Sequence, residues 1–357
     1  MTRRGRIGTG TGVALAGAVV VGLLVVPTGA TAAPALPPVS PEDLVSSVIA
    51  AKPAPFAGTV TVDNELGLPA LPGVPQAASG TSTIRVWSGG GGKGRVALPS
   101  SDGEKTLVSD GTTRWSYDST DRTATKASGG GAQGPAAAQD PTAAQDPTAA
   151  AAQAVAELRK DSTVAVDGTA EVAGRAAYTL VLSPAPTERT LLRQVRVAVD
   201  AQSRLPLQLT VLANGSAQPA LKVGFSDISF GPQDPSLFTF TPPAGTTVTD
   251  APAHGADGRP QGGDGVTTVG EGWDTVVTGK VPSGQADQQG QQQGQQQGRP
   301  EGAPDPAALA ALGTPVSGPW GSGHEIKTAV ATAIVTDDGR FAAGAVPEQV
   351  LTEALTK

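Results

Sequence analysis

Residues 109–127 read SDGTTRWSYDSTDRTATKA, two short alternating runs, the first set off by the turn signal Asp110-Gly111. Trp115 and Tyr117 stand two residues apart in a chain whose aromatic content is only 3%. Side chains spaced by two on a strand project to one face. This pair therefore predicts a strand with one face that must be covered, either as packed core or as the wall of a cavity.

The same alternation extends upstream through residues 56–63 (FAGTVTVD), 81–88 (TSTIRVWS), 94–99 (GRVALP) and 105–109, and onward through 113–118 and 123–127. Asp102-Gly103 and Asp110-Gly111 mark hairpin turns between them, so this part reads as an antiparallel meander. Downstream, residues 164–167 lead into strands at 171–183, 191–200, 205–213 and 220–230, with a tight AQSR turn joining the second and third of these. Two helices interrupt the pattern. Residues 40–51 (SPEDLVSSVIAA) carry Ser40 as N-cap, Pro41 at the first position, acidic Glu42 and Asp43, and Leu44, Val45, Val48 and Ile49 on one face. Residues 149–160 (AAAAQAVAELRK) form the second helix, with Val155 and Leu158 as its apolar positions. The class is α+β, mainly β: an antiparallel sheet whose apolar face the helices cover.

Composition divides the rest. Arg3, Arg4 and Arg6, the apolar run 12–26 and the small residues Ala30-Thr31-Ala32 have the three zones of a secretory signal peptide, so residues 1–32 are expected to be cleaved, or else retained as an N-terminal anchor. The chain has 47 Gly and 31 Pro, concentrated in an insertion at 129–148, which repeats AAQDPT, and in a Gly/Gln/Pro-rich stretch at 249–304. Such segments bury too little apolar surface to offset the entropy of ordering them and are expected to be disordered, the second as a linker. That leaves a domain at 41–248 and an extension at 305–357, with GWDTVVTGK (272–280) ahead of it, two strands around Asp337-Asp338-Gly339-Arg340, and a final helix at 347–355.

Several chemistries are poorly supported. A formal net charge of −7 disfavours a nucleic-acid surface, which needs clustered cations. The absence of Cys removes disulfides, thiolate metal sites and cysteine nucleophiles. His254 and His324 lack metal-ligand spacing. The run SGGGGK at 88–93 has Trp87 before it and Gly94 after it where a phosphate loop needs Gly and Ser or Thr, so it reads as a hairpin tip. No catalytic residue, metal site or cofactor is expected.

The order of helix, meander with LVSDGTTRWSYD (107–118), second helix, RVAVDAQSRLPLQLTV (196–211) and FSDISFGPQDPSLFTFTPPAGTTV (225–248) resembles the LolA-type lipoprotein carriers and the RseB/MucB-type sigma-factor regulators. The pieces that carry this resemblance are Asp110-Gly111 with Trp115 and Tyr117, Asp200 with Leu205-Pro206, and Phe238, Phe240, Pro243 and Gly245. The ending resembles carrier-like proteins of high-GC Gram-positive bacteria. The resemblance implies an open half-barrel with helices over an apolar surface that holds acyl chains. Candidate lining or core residues are Val60, Val62, Ile84, Val86, Trp115, Tyr117, Leu209, Val211 and Phe225. It also implies an extracytoplasmic, non-enzymatic binder of lipid or lipoprotein acyl chains or, alternatively, an envelope-stress regulator that binds an anti-sigma factor or another membrane protein.

Overall fold

The structure, a computed structural model, describes residues 34–67, 79–128, 147–251, 266–280 and 313–356. The expected signal segment 1–32 and nearly all of the insertion at 129–148 lie outside these residues.

Strands β1 (Phe56–Asn64), β2 (Gly80–Gly90), β3 (Lys93–Pro99), β4 (Glu104–Asp110), β5 (Thr113–Asp118) and β6 (Thr123–Ser128) form the first meander. After helix α2 (Pro147–Asp161) come β7 (Ser162–Val172), β8 (Arg175–Pro184), β9 (Leu192–Asp200), β10 (Pro206–Ala213), β11 (Pro219–Phe230) and the short β12 (Thr247–Asp250). They make one 12-stranded sheet in the order β12-β6-β5-β4-β3-β2-β1-β11-β10-β9-β8-β7. Strand β1 pairs with both β2 and β11 and so fuses the two meanders. Every ladder is antiparallel except β12 on β6. The edge strands β12 and β7 do not pair with each other, so the sheet is open.

The turns follow from local chemistry. Gly91 and Gly92 have φ of 58° and 79° between β2 and β3, the left-handed pair that a two-residue hairpin demands. The SGGGGK run is thus a hairpin tip. Asp110 Oδ1 accepts from the N–H groups of Thr112 (2.8 Å) and Thr113 (2.7 Å) and closes the turn ahead of Trp115. One strand boundary differs from the sequence reading. Residues 171–183 are not one strand but parts of β7 and β8, which turn back at Ala173-Gly174 with φ of 51° and 71°. Ala at a left-handed position gives no turn signal, so the hairpin is invisible to residue preference.

Helix α1 (Pro41–Ala50) starts where expected, with Ser40 Oγ accepting from Asp43 N at 3.1 Å. Leu44 is fully buried with Tyr178 and Val199, and Leu36, Val39, Val48, Val166, Leu180 and Val197 pack around them. Ile49 is exposed rather than part of that face. Helix α2 lies against α1, tied by the Arg159–Glu42 ion pair, and buries Val155 while Leu158 stays exposed.

The sheet bends at its β7–β11 end. Val172, Ala177, Ala198 and Leu207, one residue from each of β7 to β10, form a single cluster onto which Phe225 and Ile228 of β11 pack. Arg175 of β8 also stacks over the Phe230 ring of β11 at 4.7 Å, although β9 and β10 lie between those strands in the sheet. Register shifts at Val166/Thr169, Pro206/Gln208 and Thr59/Val60 allow the bend.

A second sheet follows. Strands β13 (Thr267–Val269), β14 (Val276–Lys280), β15 (Thr314–Gly318), β16 (Gly321–Lys327), β17 (Thr332–Thr336) and β18 (Arg340–Gly344) run in the order β13-β14-β18-β17-β16-β15. Helix α3 (Glu348–Thr356) packs Val350, Leu351 and Leu355 onto Val276, Trp320, Ile334, Ala342 and Val346. Two readings change here. The expected linker 249–304 contains strands β13 and β14, whose few apolar residues sit between Gly-rich flanks, and the region downstream of 313 holds four strands rather than two. The sheets are joined by Leu191 N to Ala345 O (2.8 Å), Trp273 Nε1 to Ser162 Oγ (2.6 Å) and Arg189 to Glu353 (2.8 Å).

Candidate functional site

The ladder registers decide which side chains share a face, because directly paired residues project to the same side. Val60 pairs with Ile84, and Gly58 with Val86. Val62 pairs with Val223, Val223 with Leu209, Leu221 with Val211, and Leu209 with Val197. Val197 pairs with Leu180, and Leu180 with Val166. The last three belong to the patch that α1 covers. Val60, Val62, Ile84, Val86, Leu209 and Val211 therefore lie on one continuous apolar face that begins under the helix and runs out across β10, β11, β1 and β2.

Phe225 is placed at the bend. It pairs with Val60 next to the register shift, and its ring stands 5.9 Å from that of Phe56 in an edge-on arrangement. A Cβ on Gly58 would come within 2.8 Å of that ring, so Gly58 is the gap that the phenyl group fills. The register adds residues that strand-by-strand reading missed. Val86 pairs with Val96, and Val96 with Leu107, which is 41% exposed. Leu209, in the middle of the face, is 37% exposed. Alternation within each strand carried this signal, but the registers were needed to link the strands.

Trp115 and Tyr117 are not on this face. Trp115 pairs with Val108, Val108 with Arg95, and Arg95 with Trp87, while Tyr117 pairs with Thr106 and through it with Ala97 and Arg85. Trp87 and Arg85 alternate with Val86 and Ile84 along β2, so the two aromatics project to the opposite side. There both rings meet Phe240 at 5.5 Å, and Lys126 lies over Trp115 at 5.7 Å. The cover that these aromatics require is supplied by the chain's own segment after β11, whose Phe238 is buried next to Gly89. Six of the nine candidate residues thus lie on the apolar face, Phe225 packs at the bend with Val172, Ala177, Ala198 and Leu207, and the other two form core beneath Phe238 and Phe240.

The chemistry elsewhere is structural. His324 sits on β16, with Nδ1 4.0 Å from Asp337, and Ser322 donates to the same carboxylate. The serine is spent on the acid and makes no bond to the imidazole. Thr336 and Arg340 hold the Asp338 carboxyl down at about 2, as turn chemistry. Among the described residues no cluster of His, Asp and Glu could hold a metal ion, and no helix is long and apolar enough to cross a membrane. A concavity of ≈ 440 Å³ lies between β7 and β10, lined by Asp167, Thr179, Arg196, Gln208 and Thr210 among others.

No family model and no curated protein matches the chain. Among solved structures, the chain is similar to the complex of Pseudomonas aeruginosa MucA and MucB, with a TM-score of 0.44 at 15% identity over 87% of this chain and 94% of that one. A crystal structure of MucB gives 0.42 at 14% identity over 88% and 96%. A LolA superfamily protein of Nitrosomonas europaea gives 0.25 at 12% identity over 57% and 99%. Both groups named by the resemblance of the residues are among the solved structures that this chain is similar to.

Proposed function

We propose that this is an exported, non-enzymatic binder of acyl chains, a LolA-like carrier of lipid or of lipoprotein acyl groups. Its bent sheet acts as an open half-barrel, with α1 and α2 as the cover. One observation carries the reading: the apolar face does not end where α1 ends but continues, half-buried, through Leu209, Val223, Val60 and Ile84. A face needed only as core would be closed over, whereas this one leaves Leu209 and Leu107 exposed for an apolar occupant to cover. The candidate reactive groups, His324 and Ser322 among them, lie on the other sheet and have structural partners.

The test is a titration with a homologous series of acyl probes. Each buried methylene contributes about 0.8 kcal/mol, so affinity should rise roughly fourfold per methylene until the face is filled, and then level off. Flat affinity across the series would remove the acyl reading. A protein partner of the anti-sigma-factor kind would then stand in its place.

A further inference from the structure

We infer that the acyl occupant carries an anionic head, a carboxylate, and that Arg204 reads it. This rests on the acyl-binding reading and adds the chemistry of the polar end. Arg204 closes the β9–β10 turn with φ 61°, a position that Gly or Asn fills without strain. Its guanidinium lies over the Tyr178 ring at 5.3 Å. Tyr178 is one of the three buried residues of the patch beneath α1, so the cation stands at the helix-covered end of the apolar face.

Nη1 of Arg204 is buried and has no hydrogen-bond partner among the described residues. A buried guanidinium nitrogen left unpaired costs its full desolvation penalty, which an arriving acceptor would relieve. Asp200, at the start of the same turn, and the acids of α1 are engaged elsewhere. Asp200 binds Arg175 and the N–H groups of Gln202 (2.7 Å) and Ser203 (3.2 Å), Glu42 pairs with Arg159, and Asp43 takes the Ser40 hydroxyl at 2.7 Å. Arg204 as a whole is only half-buried, which leaves its head at the boundary of the patch rather than sealed under it.

The dimensions agree. From β9 beside Arg204 to β2 the face crosses four strand spacings of about 4.8 Å, enough for an extended long acyl chain laid across the strands. A carboxylate on Arg204 would thus direct the tail past Val197 and Leu209 towards Val60 and Ile84. A neutral diacylglyceryl group would offer Nη1 only ester carbonyls, weaker acceptors that leave the cation without a counter-charge.

The experiment compares dodecanoate with methyl dodecanoate, binding each to the full chain at a pH where the acid is ionised. The acid should bind about tenfold more tightly, the difference expected between a hydrogen bond to a carboxylate and a weaker one to a neutral ester carbonyl. Arg204→Met should lower acid affinity to near that of the ester and change the ester far less. Equal binding of acid and ester by the natural protein would overturn the inference and leave the acyl reading standing. Loss of both ligands to the same degree in a folded Arg204→Met variant would also overturn it, because the arginine would then be structural. Failure of both ligands to bind the natural protein would remove both readings. The comparison on the natural protein decides the matter even if the variant fails to fold.

Discussion

Phe238→Ala should lower the stability of the large sheet by about 3–5 kcal/mol, the usual cost of truncating a buried phenyl side chain. The ring is 4% exposed and sits at the end of a short 3-10 turn, Pro235–Phe238, which Asp234 caps by accepting from Ser236 N at 2.9 Å. It lies so close to β2 that a Cβ on Gly89 would come within 2.6 Å of it. Beneath it are Ala97, Thr106, Val108 and Ala124, all buried on the face that also carries Trp115 and Tyr117. Truncation leaves a cavity over these small residues that they cannot refill. Gly89→Ala should also destabilise, by forcing the ring out instead of removing it. Chemical denaturation followed by tryptophan fluorescence measures both. A loss under about 1 kcal/mol for Phe238→Ala would mean that the segment does not close this face. Because the acyl face is on the other side of the same strands, the folded variant should bind acyl probes unchanged. Lost binding without lost stability would contradict the assignment of faces.

That assignment shows where the sequence stops being informative. Alternation in TSTIRVWS and TRWSYD marks each strand and says that Trp115 and Tyr117 share a side. It cannot say whether that side is the one bearing Ile84 and Val86, because the answer depends on the registers of β2 on β3, β3 on β4 and β4 on β5. A shift of one residue in any of them would exchange the faces. The composite list of nine candidates therefore mixed two surfaces. Turns were legible where their chemistry is specific, as at Asp110-Gly111 and Gly91-Gly92, and hidden at Ala173-Gly174, where an alanine takes the left-handed conformation. Strand β13 was obscured for a different reason, and β14 was marked only as the segment GWDTVVTGK ahead of the extension. Each is at most five residues long, and their Gly-rich surroundings dominate any compositional window. The cation at the end of the apolar face was also out of reach. Arg204 reads as an ordinary turn residue until the fold places it over Tyr178.

Asp200→Ala should cost about 3–5 kcal/mol, because it breaks a buried ion pair by removing one partner. Asp200 is 1% exposed. It binds Arg175 through Oδ2, and its Oδ1 accepts the N–H groups of Gln202 and Ser203 that shape the turn leading to Arg204. Arg175 in turn stacks on Phe230, so loss of the carboxylate loosens both the turn and the contact between β8 and β11 that holds the bend. Asp200→Asn keeps an acceptor for the turn but gives up the charge, and should cost less. The pH dependence has a definite sign. Burial pushes the Asp200 carboxyl up, but the hydrogen bond from Arg175 and the two backbone N–H groups outweigh it and hold the group below its ordinary value. A carboxyl with a lower pKa folded than unfolded contributes fully above the unfolded value of about 3.9, and that contribution is lost as pH falls through the folded value. The stability difference between the natural protein and Asp200→Asn should therefore be constant from about pH 8 to about pH 5 and shrink below about pH 4. Denaturant titrations across that range would show it. A difference that grew on acidification would mean that the carboxyl is destabilised in the folded state, and the ion pair could not then be what holds the bend.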